Sequence, residues 1–149
     1  KKEGMLEIMK DSHIGTFGVV GLILYFLGFF VLSLGVEPMV LLLMPVVGKT
    51  MGVLMCGLGE YPRQTGMGQP LIDYGQKWHA IVYLLILLVS LYFVDLNYLI
   101  SGVVVILLTL VFHYRTSYLL GGITGDVIGA GIEISQIAWL ACFTVIGGL

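Results

Sequence analysis

A short segment near the start of the chain combines several kinds of polar side chain directly before a long apolar run. It contains Lys10, Asp11, Ser12 and His13, which supply a cation, a carboxylate, a hydroxyl and an imidazole, and Gly15 follows them. Polar groups this dense at the mouth of a membrane helix lie where a water-soluble, charged substrate could meet a protein embedded in lipid. We therefore expect chemistry on a charged substrate at this point.

Composition indicates a membrane protein. The 149 residues are 58% hydrophobic and 11% charged, with a net charge of −2, whereas soluble domains carry roughly 25% charged residues. A soluble fold of this size could not bury so many apolar residues. The charge balance gives no basic arm for nucleic acid. Cys56 and Cys142 lie in apolar stretches without a C-x-x-C neighbour, which favours buried thiols over a disulfide or a metal site.

Five apolar stretches are long enough to cross a bilayer core of roughly 30 Å, which needs about 20 helical residues. We predict one all-α domain, a polytopic membrane helix bundle preceded by an amphipathic helix over Met5–His13. The predicted spans are residues 16–35, 38–58, 79–94, 98–112 and 127–149. The first residues are charged and no cleavage pattern follows, so no signal peptide is expected. The chain opens on Lys1, and we expect it to be part of a longer protein.

The basic residues predict an orientation for this bundle. Every Lys and Arg outside the second span falls in one of three segments that five spans would place on the same side: Lys1, Lys2, Lys10, Arg63, Lys77 and Arg115. The opposite loops contain neither residue. The positive-inside rule then places the three basic segments, and most polar clusters, in the cytoplasm.

The amphipathic helix carries acidic residues at helical spacing. Glu3, Glu7 and Asp11 recur every four residues and would form one stripe. Like charges at that spacing repel, and a divalent cation would relieve the repulsion. The alternative is an interfacial anchor helix whose acidic face lies in water.

Lys49 lies eleven residues into the second span. A lysine at mid-bilayer costs roughly 2.5–3.5 kcal/mol on insertion scales, so such a residue usually faces a cavity or a partner. Alternatively, the span breaks at Pro45 or Gly48 and Lys49 reaches an interface. Gly48 and Gly52 form a small-xxx-small pair that permits close helix packing.

Arg63 follows a proline and precedes Gly66 and Gly68. Its planar guanidinium suits a phosphate, and nearby glycines let backbone amides approach an anion. The alternative is an ordinary loop with a topology-setting arginine.

Asp126 lies at the start of the fifth span, where it can cap the helix and its negative charge can interact favourably with the positive N-terminal end of the helix dipole. Gly129, Glu133 and Gln136 follow on the same helical face. Because a carboxylate inside a span rarely faces lipid, we expect Asp126 and Glu133 to face into the bundle, toward metal, substrate or Lys49. The alternative is a structural ion pair of Glu133 with Lys49 or Arg115.

Three blocks of residues resemble the cobalamin synthase family, also called adenosylcobinamide-GDP ribazoletransferases. The first block is Leu6–Gly15 with Phe17 and Gly18, and the third block is Gly122–Ala130 with Glu133. The second block consists of three short pieces: Gly48–Lys49, Glu60–Arg63 and Gly66–Gly68. Lys49 occupies a position where the family more often has arginine. Family members are larger and carry an aspartate-rich segment shortly before the first block, which this sequence lacks.

The resemblance implies a reaction and a site. α-Ribazole or its 5′-phosphate attacks adenosylcobinamide-GDP, and GMP leaves. The resemblance implies catalytic roles for Lys10, Asp11 and Asp126 and a Mg²⁺ site formed by Glu7, Asp11 and Asp126. It further implies a set of substrate-binding residues: Ser12, His13, Lys49, Arg63, Gly66, Gly68 and Glu133. The implied location is a bacterial or archaeal cytoplasmic (inner) membrane, and the implied partners are membrane lipid and either a second copy or the N-terminal portion of the enzyme.

Two other classes of protein remain open. The first is another Mg²⁺-dependent membrane transferase, similar to CDP-alcohol phosphotransferases or prenyltransferases, although their own aspartate-rich motifs are not visible. The second is a non-enzymatic transporter subunit or membrane scaffold. A transporter favours an internal repeat with polar groups at mid-membrane, whereas here most polar clusters lie on one side.

Overall fold

The structure is a computed structural model that describes residues 2–9, 11, 13–62 and 68–146. Within these residues the chain forms helices joined by short connections, and no strand is found there. The helices are α1 (Lys2–Ile8), α2 (Thr16–Ser33), α3 (Pro38–Leu58), α4 (Gln69–Asp73), α5 (Lys77–Val94), α6 (Leu96–Leu120) and α7 (Gly125–Ile146).

Five of these helices, α2, α3, α5, α6 and α7, are long and apolar enough to cross a membrane. The prediction of an all-α bundle with five spans is therefore confirmed. The bounds of α3 agree with the predicted second span, and the other four helices differ from the predicted spans at their ends.

The first helix is shorter than predicted. It ends at Ile8, and the chain then turns so that the amide of Asp11 donates to the carbonyl of Ile8 at 3.0 Å. The Asp11 side chain accepts from the backbone amide of His13, also at 3.0 Å. Such side-chain to backbone bonds compete with helix formation. Glu7 and Asp11 therefore do not share a helical stripe, and that prediction was wrong.

The second span is one continuous helix. α3 contains Pro45 inside it and runs unbroken from Pro38 to Leu58, so the alternative in which the span breaks at Pro45 or Gly48 is wrong. α3 packs closely on α7 through Gly48 and Gly52. A β-carbon on Gly48 would lie 2.7 Å from Cγ of Gln136, and a β-carbon on Gly52 would lie 2.8 Å from Cδ1 of Ile132.

α6 extends well beyond the predicted span of residues 98–112. It begins after Asp95, whose Oδ1 accepts from the amide of Asn97 at 2.8 Å, a typical N-cap. It ends at Gly121, where φ is +78°, a left-handed conformation that glycine adopts without strain. The polar residues around Arg115 belong to the last turns of this helix, which continue past the apolar stretch.

Buried side chains form two cores, one toward each end of the bundle. The outer core is centred on Trp139, whose Nε1 donates to the carbonyl of Val40 at 2.9 Å, with Tyr98 packed beside it. The inner core consists of Met55, Ile72, Ile123, Val127 and Ile128. α7 contributes to both cores and lies against α2, α3 and α6.

Candidate functional site

The three blocks meet at the inner core. Met9 of the first block and Tyr61 of the second block pack against it, and Ile123 of the third block is part of it. We call this end of the bundle the basic end; among the described residues it comprises 8, 9, 11, 13–16, 58–62, 68–77 and 114–126. These contacts bring three segments that are far apart in the sequence to one place.

The second and third blocks are joined through their backbones. The amide of Ile123 donates to the carbonyl of Glu60 at 2.8 Å. Gly68 is buried against Gly125, where a β-carbon on Gly68 would lie 2.6 Å from the Gly125 nitrogen. Gly122 has a φ of +155°, and a β-carbon there would lie 2.9 Å from the nitrogen of Pro62. These contacts hold Glu60, Pro62 and Gly68 beside the start of α7.

The start of α7 presents a carboxylate at the basic end. Thr124 is buried, and its hydroxyl accepts from the amide of Val127 at 3.4 Å. Asp126 follows in the first helical turn with its side chain exposed. A carboxylate there interacts favourably with the positive end of the helix dipole.

Asp11 and His13 form a local pair at the surface. His13 Nδ1 lies 2.7 Å from Asp11 Oδ1, and the two side chains are 92% and 59% exposed, respectively. Hydrogen bonds from the backbone amide and then the ring of His13 lower the pKa of the Asp11 carboxyl. The carboxylate is therefore ionised and open to solvent, and it can bind a cation.

The side chains of Asp126 and Glu133 lie on the surface of the described bundle rather than in its interior, so that prediction was wrong. The packed faces of α7 are filled by Val127, Ile128 and Gly131 instead. Glu133 accepts a hydrogen bond from the hydroxyl of Tyr25 on α2. The sequence analysis missed Tyr25. The feature that could have indicated it is its position in the middle of an apolar span, because tyrosines usually lie at span ends.

Lys49 also lies on the outer side of the bundle. It lines a groove of about 530 Å³ with Pro45, Thr50 and Tyr83. Gly48, the preceding residue, faces α7. Because successive helical residues point about 100° apart, Lys49 points away from that contact. Within the described residues no ion pair joins Lys49 to Glu133 or Arg115 to Glu133, so the alternative of a structural ion pair is wrong there.

The remaining predicted residues divide into two groups. Glu7 lies on α1 with its side chain exposed. The residues Lys10, Ser12, Arg63 and Gly66 lie outside the described part of the chain. Across the residues that the structure describes, no group of three or more His, Cys, Asp or Glu side chains could hold a metal ion.

Chemically, the basic end offers exposed carboxylates beside closely packed backbone segments. Asp11 and Asp126 can bind cations, and the glycine contacts let the main chains of the second and third blocks pack closely against each other. Such an arrangement suits transfer reactions of phosphate groups, in which positioning and charge neutralisation supply most of the catalysis.

Comparison with known proteins agrees with this arrangement. The family model described as cobalamin-5-phosphate synthase matches residues 1–144. An adenosylcobinamide-GDP ribazoletransferase of Alkaliphilus oremlandii is 36% identical over 141 residues, covering 93% of this chain and 58% of the relative. Proteins of the same name from Fusobacterium nucleatum and Listeria monocytogenes are 34% and 32% identical, and the matches cover 97% and 100% of this chain and 62% of each relative. No solved structure matches the chain.

Proposed function

Because this chain belongs to the cobalamin-5-phosphate synthase family, we propose that it carries the site that joins α-ribazole, or its 5′-phosphate, to adenosylcobinamide-GDP. The chain spans about three fifths of the length of the curated relatives it matches. The observation that carries the proposal is the convergence of the three blocks on the inner core, through Met9, Tyr61 and Ile123.

The reaction is a transfer at phosphorus. An oxygen of the ribazole forms a bond with the phosphorus that is attached to cobinamide. The bridging bond from that phosphorus to the GMP oxygen breaks, and GMP leaves with the electron pair. The proton of the attacking hydroxyl passes to a base or to water. The protein must therefore hold two large substrates in line and offset the charge that develops on the leaving group.

In this proposal the side chains divide by charge. Lys10 and Arg63 hold the pyrophosphate and stabilise the departing GMP, whereas Lys49 lies in a groove on the outer side of the bundle and its contact with substrate is a separate proposal. Asp126 orients the attacking hydroxyl. The other substrate-binding residues contact the two substrates around this centre: Ser12, His13, Gly66, Gly68 and Glu133. Because Gly68 is buried against Gly125, its role in this proposal is to let the two main chains pack closely.

Mg²⁺ is part of the same proposal. It prefers oxygen ligands and is usually held by one or two carboxylates together with substrate phosphates. The exposed, ionised carboxylate of Asp11 fits this chemistry, whereas Glu7 and Asp126 do not gather with it into one metal-binding group within the described residues. When bound, the ion neutralises phosphate charge during transfer.

We further propose that the basic end faces the cytoplasm of a bacterial or archaeal cell, with the bundle in the cytoplasmic membrane. The support is the positive-inside rule, because the connections at the opposite end, Leu34–Glu37 and Asp95, contain no Lys or Arg. The partners we propose are the two substrates, membrane lipid, and either a second copy of the chain or the N-terminal portion found in relatives.

The decisive experiment measures GMP release from adenosylcobinamide-GDP with α-ribazole and Mg²⁺ in proteoliposomes. The chain should be tested alone and as a chimera in which it replaces the matching region of the Alkaliphilus oremlandii relative. We expect the chimera to release GMP and the variant Asp11→Asn in the chimera to lose this activity, with normal membrane insertion. Turnover by Asp11→Asn close to that of the parent would remove Asp11 from the site, and an inactive but inserted chimera would contradict the proposal.

A further inference from the structure

The packing of α2 differs between its two halves. Its half-buried residues recur at helical spacing and lie only in the second half of the helix: Tyr25, Gly28, Phe29, Leu32 and Ser33. Residues 16–24 are all exposed. Tyr25 is therefore the first point at which α2 meets the bundle after the chain leaves the first block.

At that point the contact is polar. The Tyr25 hydroxyl donates to Oε2 of Glu133 on α7. The Tyr25 ring also stacks on Phe29, with the ring centroids 6.5 Å apart, and Phe29 packs against the outer core. The tyrosine is thus oriented from one side by packing, and its hydroxyl is bonded to a carboxylate, the kind of hydrogen bond that is stronger than a neutral one.

The other end of the same stretch is held by Met9, which packs against the inner core. Between these two anchors, every residue that the structure describes is exposed: Asp11 and residues 13–24. The stretch contains Asp11 and His13 and has no packed contact of its own with the bundle core. Its position relative to α7 is therefore set by the contacts at its two ends.

We propose that Tyr25 is a positioning residue, whose hydrogen bond to Glu133 holds α2 against α7 and thereby places the first block at the basic end. The inference rests on the proposed function in that the placed residues, Asp11 and His13, belong to the transferase site. It assigns Glu133 an acceptor role toward Tyr25 in addition to any contact with substrate. Tyr25 itself does not touch the substrates.

The test uses a distance measurement that does not depend on activity. Spin labels at Phe17, which is 94% exposed, and Tyr118, which is 73% exposed, report the position of the start of α2 relative to α6. The background carries Cys56→Ala and Cys142→Ala. We expect Tyr25→Phe to broaden the distribution of the 17–118 distance. A control pair at Tyr74 and Tyr118 does not involve α2 and should keep its distribution, which shows that the bundle remains folded.

Two further variants make the test specific. Glu133→Gln retains an oxygen that accepts the tyrosine hydroxyl, so it should keep the narrow 17–118 distribution, whereas Glu133→Ala should broaden it as Tyr25→Phe does. Tyr92→Phe removes a hydroxyl from an exposed tyrosine on α5 and should change nothing. An unchanged 17–118 distribution in Tyr25→Phe would overturn the inference.

The kinetic readout connects this placement to catalysis in the active chimera. We expect Tyr25→Phe to lower kcat on the order of tenfold, the factor that corresponds to about 1.4 kcal/mol, with KM for both substrates unchanged. A rise in KM alone would instead make Tyr25 a substrate contact and overturn the positioning role. If the parent chimera had no activity, the proposed function would fail while the distance measurement still tested the placement of the first block.

Discussion

At the residue scale, two exposed candidate site residues, Asp11 and His13, are held by a short-range interaction with each other. Asp11 accepts from both the backbone amide and the ring of His13, and both side chains lie at the surface. The pair is formed within three consecutive positions, so it needs no tertiary contact. We therefore expect the pair to present an ionised carboxylate rather than to stabilise the fold.

This pair predicts a pH effect with a definite sign. Because His13 lowers the pKa of Asp11, the carboxylate stays ionised to lower pH than an ordinary aspartate does. The variant His13→Ala loses the ring hydrogen bond but keeps the backbone one, so the Asp11 pKa should rise toward its ordinary value of roughly 3.9. The carboxyl carbon of Asp11, followed by NMR during a pH titration, measures the change. His79→Ala serves as the control, and an unchanged midpoint in His13→Ala would contradict the prediction.

Gly68 carries a second prediction at the residue scale. A β-carbon there would lie 2.6 Å from the Gly125 nitrogen and 2.8 Å from its Cα, and a backbone contact this short cannot relax by rotating a side chain. We expect Gly68→Ala to lower the free energy of unfolding by about 1–3 kcal/mol, measured by denaturation in detergent. Gly129→Ala has no atom within 4 Å of the added carbon and should not destabilise the protein. Equal stability of the two variants would show that the 68–125 contact is loose.

At the scale of the element, α3 has two distinct faces, one packed against α7 and one that carries Lys49 on the outer side of the bundle. Gly48 and Gly52 face α7 and let the two backbones approach, while Lys49, next to Gly48, points away from that contact. Pro45 removes one amide from the helical hydrogen bonding without breaking the helix. The helix therefore places a cation at about half its length on the outer side of the bundle.

Replacing Lys49 should show how its charge affects membrane insertion separately from how it affects substrate binding. Lys49→Met should make insertion of α3 more favourable by up to about 3 kcal/mol, because the charge no longer enters the apolar layer. A translocon insertion assay measures this term. Lys77→Met, at the start of α5, should change insertion much less because lysine at a helix end reaches the interface. In the active chimera, Lys49→Met should raise KM for adenosylcobinamide-GDP, and an unchanged KM would remove Lys49 from the substrate site.

At the scale of the whole molecule, the two ends of the bundle differ in charge. The three blocks converge at the basic end, whereas the opposite end has a cavity of about 750 Å³ whose lining includes Glu37 and Asp95. Those two acids are the N-cap residues of α3 and α6, and Glu37 also accepts from the hydroxyl of Tyr98 at 3.0 Å. Asp95 caps α6 with its side chain, whereas Glu37 makes no side-chain cap on α3 and accepts from Tyr98 instead.

The charge difference between the ends predicts which positions a membrane-impermeant maleimide reaches. In right-side-out vesicles, Asn97→Cys should react, and Tyr114→Cys and Tyr118→Cys should not. In inverted vesicles the pattern should be reversed, because the positive-inside rule places the basic end in the cytoplasm. The native cysteines are first replaced by alanine. Labelling of Tyr118→Cys from outside the cell would overturn the orientation.

The sequence by itself determined the all-α bundle, its five spans and the residues of the three blocks. Apolar runs of membrane-crossing length leave the backbone little choice but helix, because lipid offers its polar groups no other partner. The sequence also pointed to the common end of the blocks, because successive spans cross the membrane in opposite directions and every second connection therefore lies on the same side.

Only the tertiary structure decided which side chains meet across that framework. Asp126 and Glu133 have helical spacing, but spacing on one helix does not say which neighbour covers that face. The partner of Glu133 is Tyr25, which is 108 positions away in the sequence, and the close approach of Gly68 to Gly125 depends on how two connections fold against the inner core. The end of α1 at Ile8 was also undecided, because the hydrogen bonds between Asp11 and His13 competed with a helical pattern that the sequence equally allows.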